Sequence, residues 1–329
     1  MLGGLQCLYF PRLVGVITMI LSSRTIRLEK RFLIYGSGTR FLSLLSPKKG
    51  WRASLEKVMF FLCRFPSFRR NNVLSQLKKE LLVVPEDFLL YYTGDYKNTS
   101  WIGVVQDAAR TEFFVKIYKD SGVAQQEYEK SALACSLFSQ FFTVATPLAY
   151  SEHILSVSLL HKQSNVLIED VWNQVVDQSV WLYHEYQKEG SWESDVSWAP
   201  DELKHTPAVR AHGDLSHWNC FVNEQQELCL IDYEEIGWYP PMYDCFHLLL
   251  KPTLLHRPAD IPLEQCRYLA TAWDCSLEQV LVWMYVYLAC ENEKDRLRNM
   301  ELNNPHIELT IQNRSVVQQD CKKRVIGAA

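Results

Sequence analysis

Between residues 212 and 235 the chain reads HGDLSHWNCFVNEQQELCLIDYEE. Asp214, Asn219 and Asp232 stand there beside CFV and LCLI, runs with the composition of buried strands. Burying a carboxylate is costly unless a cation or hydrogen-bond donors compensate for the lost water. If 220–222 and 228–231 pair as a hairpin around the polar NEQQE, Asn219 and Asp232 share one end of it. Asp214 then lies in the loop just before. A carboxylate and an amide oxygen at one strand end form a hard-oxygen pair that suits Mg2+ holding a phosphate. A second carboxylate close by can accept a proton from a hydroxyl. That combination is the chemistry of phosphoryl transfer to an alcohol.

Such side chains need elements to hold them. From Leu81 onward apolar runs alternate with turn residues: FLLYY (88–92), TGDYKNTS (93–100), WIGVVQ (101–106) and EFFVKIY (112–118). Their β-branched and aromatic content predicts three antiparallel strands. Gln125–Phe142 has helical spacing, with Leu133, Leu137 and Phe141 on one stripe. ATPLAY and ILSVSLL (154–160) predict two more strands. After Gln163 the pattern is helical: Val171–Gln187 is amphipathic, and Leu263–Leu297 is rich in Trp, Tyr and Leu. The expected chain is α+β, with a basic extension over 1–79, a small sheet-rich lobe over 80–162 and a helical lobe over 163–329. A cleft between such lobes is where ligands tend to bind.

A loop Asp, an Asn five residues later and a strand-end Asp follow the order found in protein kinases. More closely, the chain resembles the aminoglycoside phosphotransferase and choline kinase branch of the kinase-like superfamily. Members look like HGDxxxxN, a strand, IDxE or IDxD, a turn and a plyD-like segment. This chain has HGDLSHWN (212–219), LIDYE (230–234) and YPPMYDCFHLL (239–249), with glycine where protein kinases carry the arginine of HRD. The resemblance implies a two-lobed protein-kinase-like fold. It also implies ATP- and Mg2+-dependent phosphorylation of a hydroxyl on a small molecule, a glycan or a lipid-linked sugar.

By the same resemblance Asp214 orients and deprotonates the hydroxyl, and Asn219 and Asp232 hold Mg2+. His212 and Asp244 brace the loop. Lys116, in the third strand, binds the α- and β-phosphates, and a helix glutamate pairs with it. Glu127 and Glu129 both lie at a suitable distance along the chain. Glu129 is preferred, because Ala132 and Leu133 follow at +3 and +4. TGDYKNTS has one glycine rather than GxGxxG, so Thr99 and Ser100 are the candidate phosphate contacts; the same residues equally suit a plain hairpin turn. Glu234, two residues beyond Asp232, would share its face along a strand and so reach the metal or serve a structural role.

The net charge of −4 conceals a strong asymmetry. Residues 1–79 hold 15 Lys and Arg against two Glu, a local charge of +13, while the remainder, 19 against 36, carries −17. A basic arm on an acidic body calls for an anionic partner. LEKVMFFL (55–62) suits an anionic membrane surface, or packs on the main domain with its charges in solvent. The apolar run Val14–Leu21 is too short to span a bilayer. No nucleic-acid-binding module is recognisable, and the acidic body would repel phosphates.

The acidic body suits a cationic acceptor such as an aminoglycoside or choline; the basic arm suits instead a kinase at the cytoplasmic face of a membrane. A pseudokinase would typically have lost the strand lysine, the loop Asp or the metal Asp, and all three are present. Ten cysteines, none in a CxxC pair, read as reduced thiols of a cytoplasmic protein.

Overall fold

The structure is a computed structural model and describes residues 25–28, 32–35, 77, 79–80, 85–92, 99–188, 196–201, 205–302 and 304–328. The segments Val14–Leu21 and Leu55–Leu62 lie outside the described residues. The chain divides into two compact units. One comprises Met1–Ala132 with Ala145–His161, and the other Leu133–Val144 with Lys162–Ala329.

The first unit is built on strands β1 (Thr25–Leu28), β2 (Phe32–Tyr35), β3 (Pro85–Tyr92), β4 (Thr99–Asp107) and β5 (Glu112–Tyr118). Helix α1 (Val123–Phe138) follows. After β6 (Thr143–Val144), the strands β7 (Pro147–Tyr150) and β8 (Ile154–Ser158) return to the sheet. Among the described residues the sheet has seven strands in the order β1-β2-β3-β4-β5-β8-β7, with every pairing antiparallel. In EFFVKIY the period-two alternation sends Phe113, Val115 and Ile117 into a core with Phe88, Leu90, Trp101, Val105 and Ile154. Glu112, Phe114 and Lys116 take the other face of β5, and are less buried. β1 and β2, not expected from the sequence, pair with each other and then with β3.

The second unit contains β6, β9 (Lys162–Asn165), α2 (Ile168–Glu185), β10 (Gln187–Lys188), β11 (Ala208–Ala211), β12 (Cys220–Asn223), β13 (Leu228–Leu230) and β14 (Gly237–Tyr239). Among the described residues four helices follow: α3 (Tyr243–Leu254), α4 (Leu263–Ala272), and the long α5 (Leu277–Leu302) and α6 (Pro305–Ala328). Leu133–Val144 groups with this unit because β6 pairs in parallel with β13 and the Phe138 ring packs near His212, centroids 6.0 Å apart. Among the described residues this unit forms two short sheets, β6-β13-β12-β9 and β10-β11-β14. The helices bury Val171, Val175, Val176 and Leu182 from α2, Phe246, Leu248 and Leu250 from α3, and Tyr287 from α5. An antiparallel sheet in one unit and a predominantly helical second unit are the α+β architecture expected from the sequence.

Among the described residues Cys220, Cys229, Cys245, Cys266, Cys275 and Cys321 are free thiols. Among the described residues no helix is long and apolar enough to cross a membrane.

Candidate active site

β11 delivers the chain into His212, which is fully buried. Its backbone N–H donates to Asp244 Oδ2 at 2.8 Å, and that of Gly213 donates to Oδ1 of the same carboxylate at 3.1 Å. Asp244 lies in the first turn of α3, so the helix holds the loop by its backbone. Burial raises the Asp244 carboxyl above its usual range, opposed by His212 and by the two backbone donors. Both ring nitrogens of His212 are engaged. Nε2 lies 3.0 Å from the Ile231 carbonyl, and Nδ1 accepts the Asp214 N–H at 3.3 Å. The imidazole thus ties the loop to the end of the hairpin and has no nitrogen left for proton transfer.

Gly213 has φ +83°, and a Cβ there would collide with the Glu235 carbonyl and the Tyr239 hydroxyl. Those two groups are themselves bonded, the hydroxyl donating to the carbonyl at 2.7 Å. Only glycine fits a left-handed position with backbone pressed against it. The glycine of HGD is therefore demanded by the loop's path.

Asp214 is half-buried, and its side chain is held on both oxygens. Oδ1 accepts from His247 Nε2 at 3.1 Å and from the Lys251 ammonium. Oδ2 accepts a longer bond, 3.3 Å, from Asn219 Nδ2, which also donates to the Asp214 carbonyl at 2.8 Å. Burial raises the carboxyl pKa, but the hydrogen bond from His247 and the charge and hydrogen bond of Lys251 outweigh it. The net effect holds Asp214 far below the usual carboxylate range, so it is ionised.

The hairpin forms as expected: Cys220 faces Leu230 and Val222 faces Leu228. Its NEQQE turn is closed by Asn223, whose Oδ1 accepts the N–H groups of Gln225 and Glu227 at 3.0 and 2.9 Å. At the other end the Ile231 N–H donates to the Asn219 carbonyl at 3.1 Å, which brings Asn219 beside the residue that precedes Asp232. Asp232 has left-handed backbone, φ 70° and ψ 64°, and begins the 3-10 turn Tyr233–Glu235. Asp tolerates that conformation better than most residues. This turn corrects the reading of Glu234, which is not on a strand and does not share a strand face with Asp232.

These donors fit a magnesium ion. With its amide nitrogen committed to Asp214, Asn219 keeps its side-chain oxygen for a cation. Asp232 adds a carboxylate. Among the described residues no three His, Cys, Asp or Glu side chains gather as a metal cage. Mg2+ requires none, because it binds through one or two protein oxygens when phosphates and water supply the rest.

The other expected residues belong to the first unit. Lys116 lies in mid-β5, opposite Ile102 of β4 and Leu155 of β8, and is half-buried. Thr99 is buried, and Thr99 and Ser100 begin strand β4 instead of sitting in a turn. On α1 the buried stripe runs Ala124, Glu127, Ser131, Ala134 and Phe138. Glu127, 9% exposed, is on it. Glu129 is exposed and accepts from Gln125 Nε2 at 2.9 Å, so the buried face expected for Glu129 belongs to Glu127.

Residues 165–274 match the model of the phosphotransferase enzyme family. Over this segment the chain is similar to that family. The segment holds HGDLSHWN, LIDYE and YPPMYD, the motifs that carried the resemblance, and it spans less than half of the chain. No curated protein matches the chain. Solved structures give distant likenesses. Choline kinase LicA from Streptococcus pneumoniae is 10% identical at a TM-score of 0.48, covering 75% of this chain and 98% of that one. A thermostable mutant of aminoglycoside phosphotransferase APH(4)-Ia, in ternary complex with ADP and hygromycin B, is 11% identical at 0.48, covering 76% and 98%. A putative fructosamine-3-kinase from Thermobifida fusca is 12% identical at 0.45, covering 79% and 100%.

The matched segment contains two residues that the motifs did not single out, His247 and Lys251, and beyond it lies a third, Glu291. His247 Nδ1 is 3.4 Å from the Tyr287 hydroxyl and 3.7 Å from Glu291 Oε2. Glu291 also takes the Tyr243 hydroxyl, Lys294 at 3.2 Å and Arg314 at 3.4 Å. Burial raises the Glu291 carboxyl, but His247, Lys294 and Arg314 together bring it down to about 2. The available signal was a polar residue in an apolar helical run: His247 and Lys251 in FHLLLK, and Glu291 in LACEN.

Proposed function

We propose that the protein is a kinase that transfers the γ-phosphoryl group of ATP to a hydroxyl of a small-molecule acceptor. The observation that carries this reading is Asp214. It is an ionised carboxylate fixed by side-chain donors and tied through Asn219 to a hairpin end that also bears Asp232.

Asp214 binds and orients the hydroxyl. It takes the hydroxyl proton as the phosphoryl group arrives. Asn219 and Asp232 would hold Mg2+, which when bound neutralises charge on the nucleotide phosphates. Lys116 binds the α- and β-phosphates, and Glu127, on the buried face of α1, is the better of the two helix acids to steady it. Positioning and charge neutralisation supply most of the rate. The acceptor is either a cationic small molecule, in keeping with the acidic body, or a glycan or lipid-linked sugar. The basic run over 1–79 favours the second, with the protein cytoplasmic and peripheral to an anionic surface. Salt-dependent pelleting with anionic liposomes tests that location.

The function is tested by ATP consumption against a panel of aminoglycosides, choline-like amines and sugar or lipid-sugar precursors. One class should raise turnover above the rate with water, and EDTA in excess of Mg2+ should abolish it. EDTA-resistant turnover would contradict the roles of Asn219 and Asp232. Absence of MgATP binding would sink the reading altogether.

A further inference from the structure

α3 sends two polar side chains, one turn apart, to a single atom. His247 Nε2 lies 3.1 Å from Asp214 Oδ1, and the Lys251 ammonium is hydrogen-bonded to that same oxygen. His247 is 1% exposed in its side chain, a costly place for an imidazole unless both nitrogens are satisfied. They are, in one tautomer: the Tyr287 hydroxyl donates to Nδ1 at 3.4 Å, and Nε2–H donates to Asp214. The Tyr243 ring lies against the imidazole face, interplanar angle 19°, and fixes its plane. Lys251 lies over the exposed Trp218 ring at 5.4 Å. The catalytic loop HGDLSHWN contains neither Lys nor Arg, so the ammonium at Asp214 is supplied by a different element.

We infer that His247 and Lys251 are positioning residues for phosphoryl transfer: together they take Oδ1 of Asp214 and leave Oδ2 to receive the acceptor hydroxyl. The inference rests on the reading of Asp214 as the acceptor-orienting carboxylate. A carboxylate bonded to solvent can rotate and offer either oxygen; two donors on one oxygen stop that rotation before the acceptor arrives. Oδ2 keeps only the 3.3 Å contact with Asn219 Nδ2, whose shorter bond is to the Asp214 carbonyl at 2.8 Å. It is therefore the oxygen with acceptor capacity to spare.

The test uses the full chain with MgATP and water as acceptor, read as release of inorganic phosphate. Lys251→Met and His247→Ala should each lower kcat by about tenfold to a hundredfold, the scale expected of a misaligned group. KM for MgATP should stay within about twofold, and Lys251→Arg and His247→Gln, which keep a donor, should recover part of the loss. In an Asp214→Asn background Lys251→Met should have no further effect. Full kcat in Lys251→Met and His247→Ala beside an inactive Asp214→Asn overturns this inference alone. Turnover retained in Asp214→Asn overturns the reading beneath it. A change confined to KM for MgATP makes Lys251 a nucleotide contact and also overturns the inference. Imidazole 15N NMR gives a readout independent of turnover: the His247 Nε2 resonance should shift in Asp214→Asn, and an unmoved signal contradicts the proposed bond.

Discussion

Gly213 has φ +83°, with the Glu235 carbonyl and Tyr239 hydroxyl where a Cβ would stand. Gly213→Ala must adopt a left-handed backbone, at about 1–2 kcal/mol, and also push the β14 side of the loop away. A lowered melting temperature together with loss of turnover is the expected result; an unchanged melt would show that the loop can yield there. The part of the site set by spacing within one hairpin was legible in the sequence. Asn219 and the residue preceding Asp232 are joined by a backbone bond because CFV and LCL pair. The part where two segments meet was less legible. His247 and Lys251 reach Asp214 across 33 and 37 residues, and nothing local to either sequence announces that contact. The two α1 glutamates were separated by helical phase. Glu127 falls on the stripe with Ala124, Ser131 and Ala134, and Glu129, two residues on, turns to solvent.

Elements explain why the loop stays in place. Asp244, in the first turn of α3, accepts two backbone N–H groups from the preceding loop, and both lie in the buried interior. Asp244→Asn keeps the volume but turns an amide nitrogen toward one of those donors. An unsatisfied buried donor costs about 1–3 kcal/mol, which a urea melt should resolve as a lower midpoint with unchanged slope. Strand and helix types were legible wherever periodicity was strong. EFFVKIY alternates, and α2 carries Val171, Val175 and Leu182 on one side. Hidden from the pattern was the exit from the hairpin. LIDYE reads as continuing strand, yet the left-handed backbone at Asp232 ends it and a 3-10 turn carries Glu234 away from a strand face. The pairing of TIRL and FLIY was equally hidden, since both are runs of only four residues and the first is interrupted by Arg27.

On the scale of the whole second unit, Glu291 joins three helices. It holds Tyr243 of α3, Lys294 on its own helix and Arg314 of α6, while Arg314 also reaches Asp295 at 2.7 Å. Breaking a buried ion pair by removing one partner costs about 3–5 kcal/mol, so Glu291→Gln should be strongly destabilised near neutral pH. The folded carboxyl is depressed from its ordinary 4.5 to about 2. Its contribution is therefore fully present above 4.5 and is lost as pH falls through that window. Melting temperatures of wild type and Glu291→Gln should converge between pH 4.5 and 2; a constant gap would mean that the charge is not what Glu291 contributes. The charge asymmetry of the chain was legible from composition alone, +13 over residues 1–79 against −17 beyond. A network spread over residues 243–314 was not, because it depends on how three helices pack.

On the proposed function, Asp214 handles the acceptor hydroxyl while other residues bind the nucleotide. The most direct measurement is MgATP binding by calorimetry beside single-turnover phosphoryl transfer, for wild type and Asp214→Asn. In Asp214→Asn, MgATP affinity should stay within about twofold of wild type and transfer should slow by about two to four orders of magnitude, the range for loss of a positioned acid–base group. Transfer by Asp214→Asn at the wild-type rate, or loss of MgATP binding in its place, would contradict that role for Asp214.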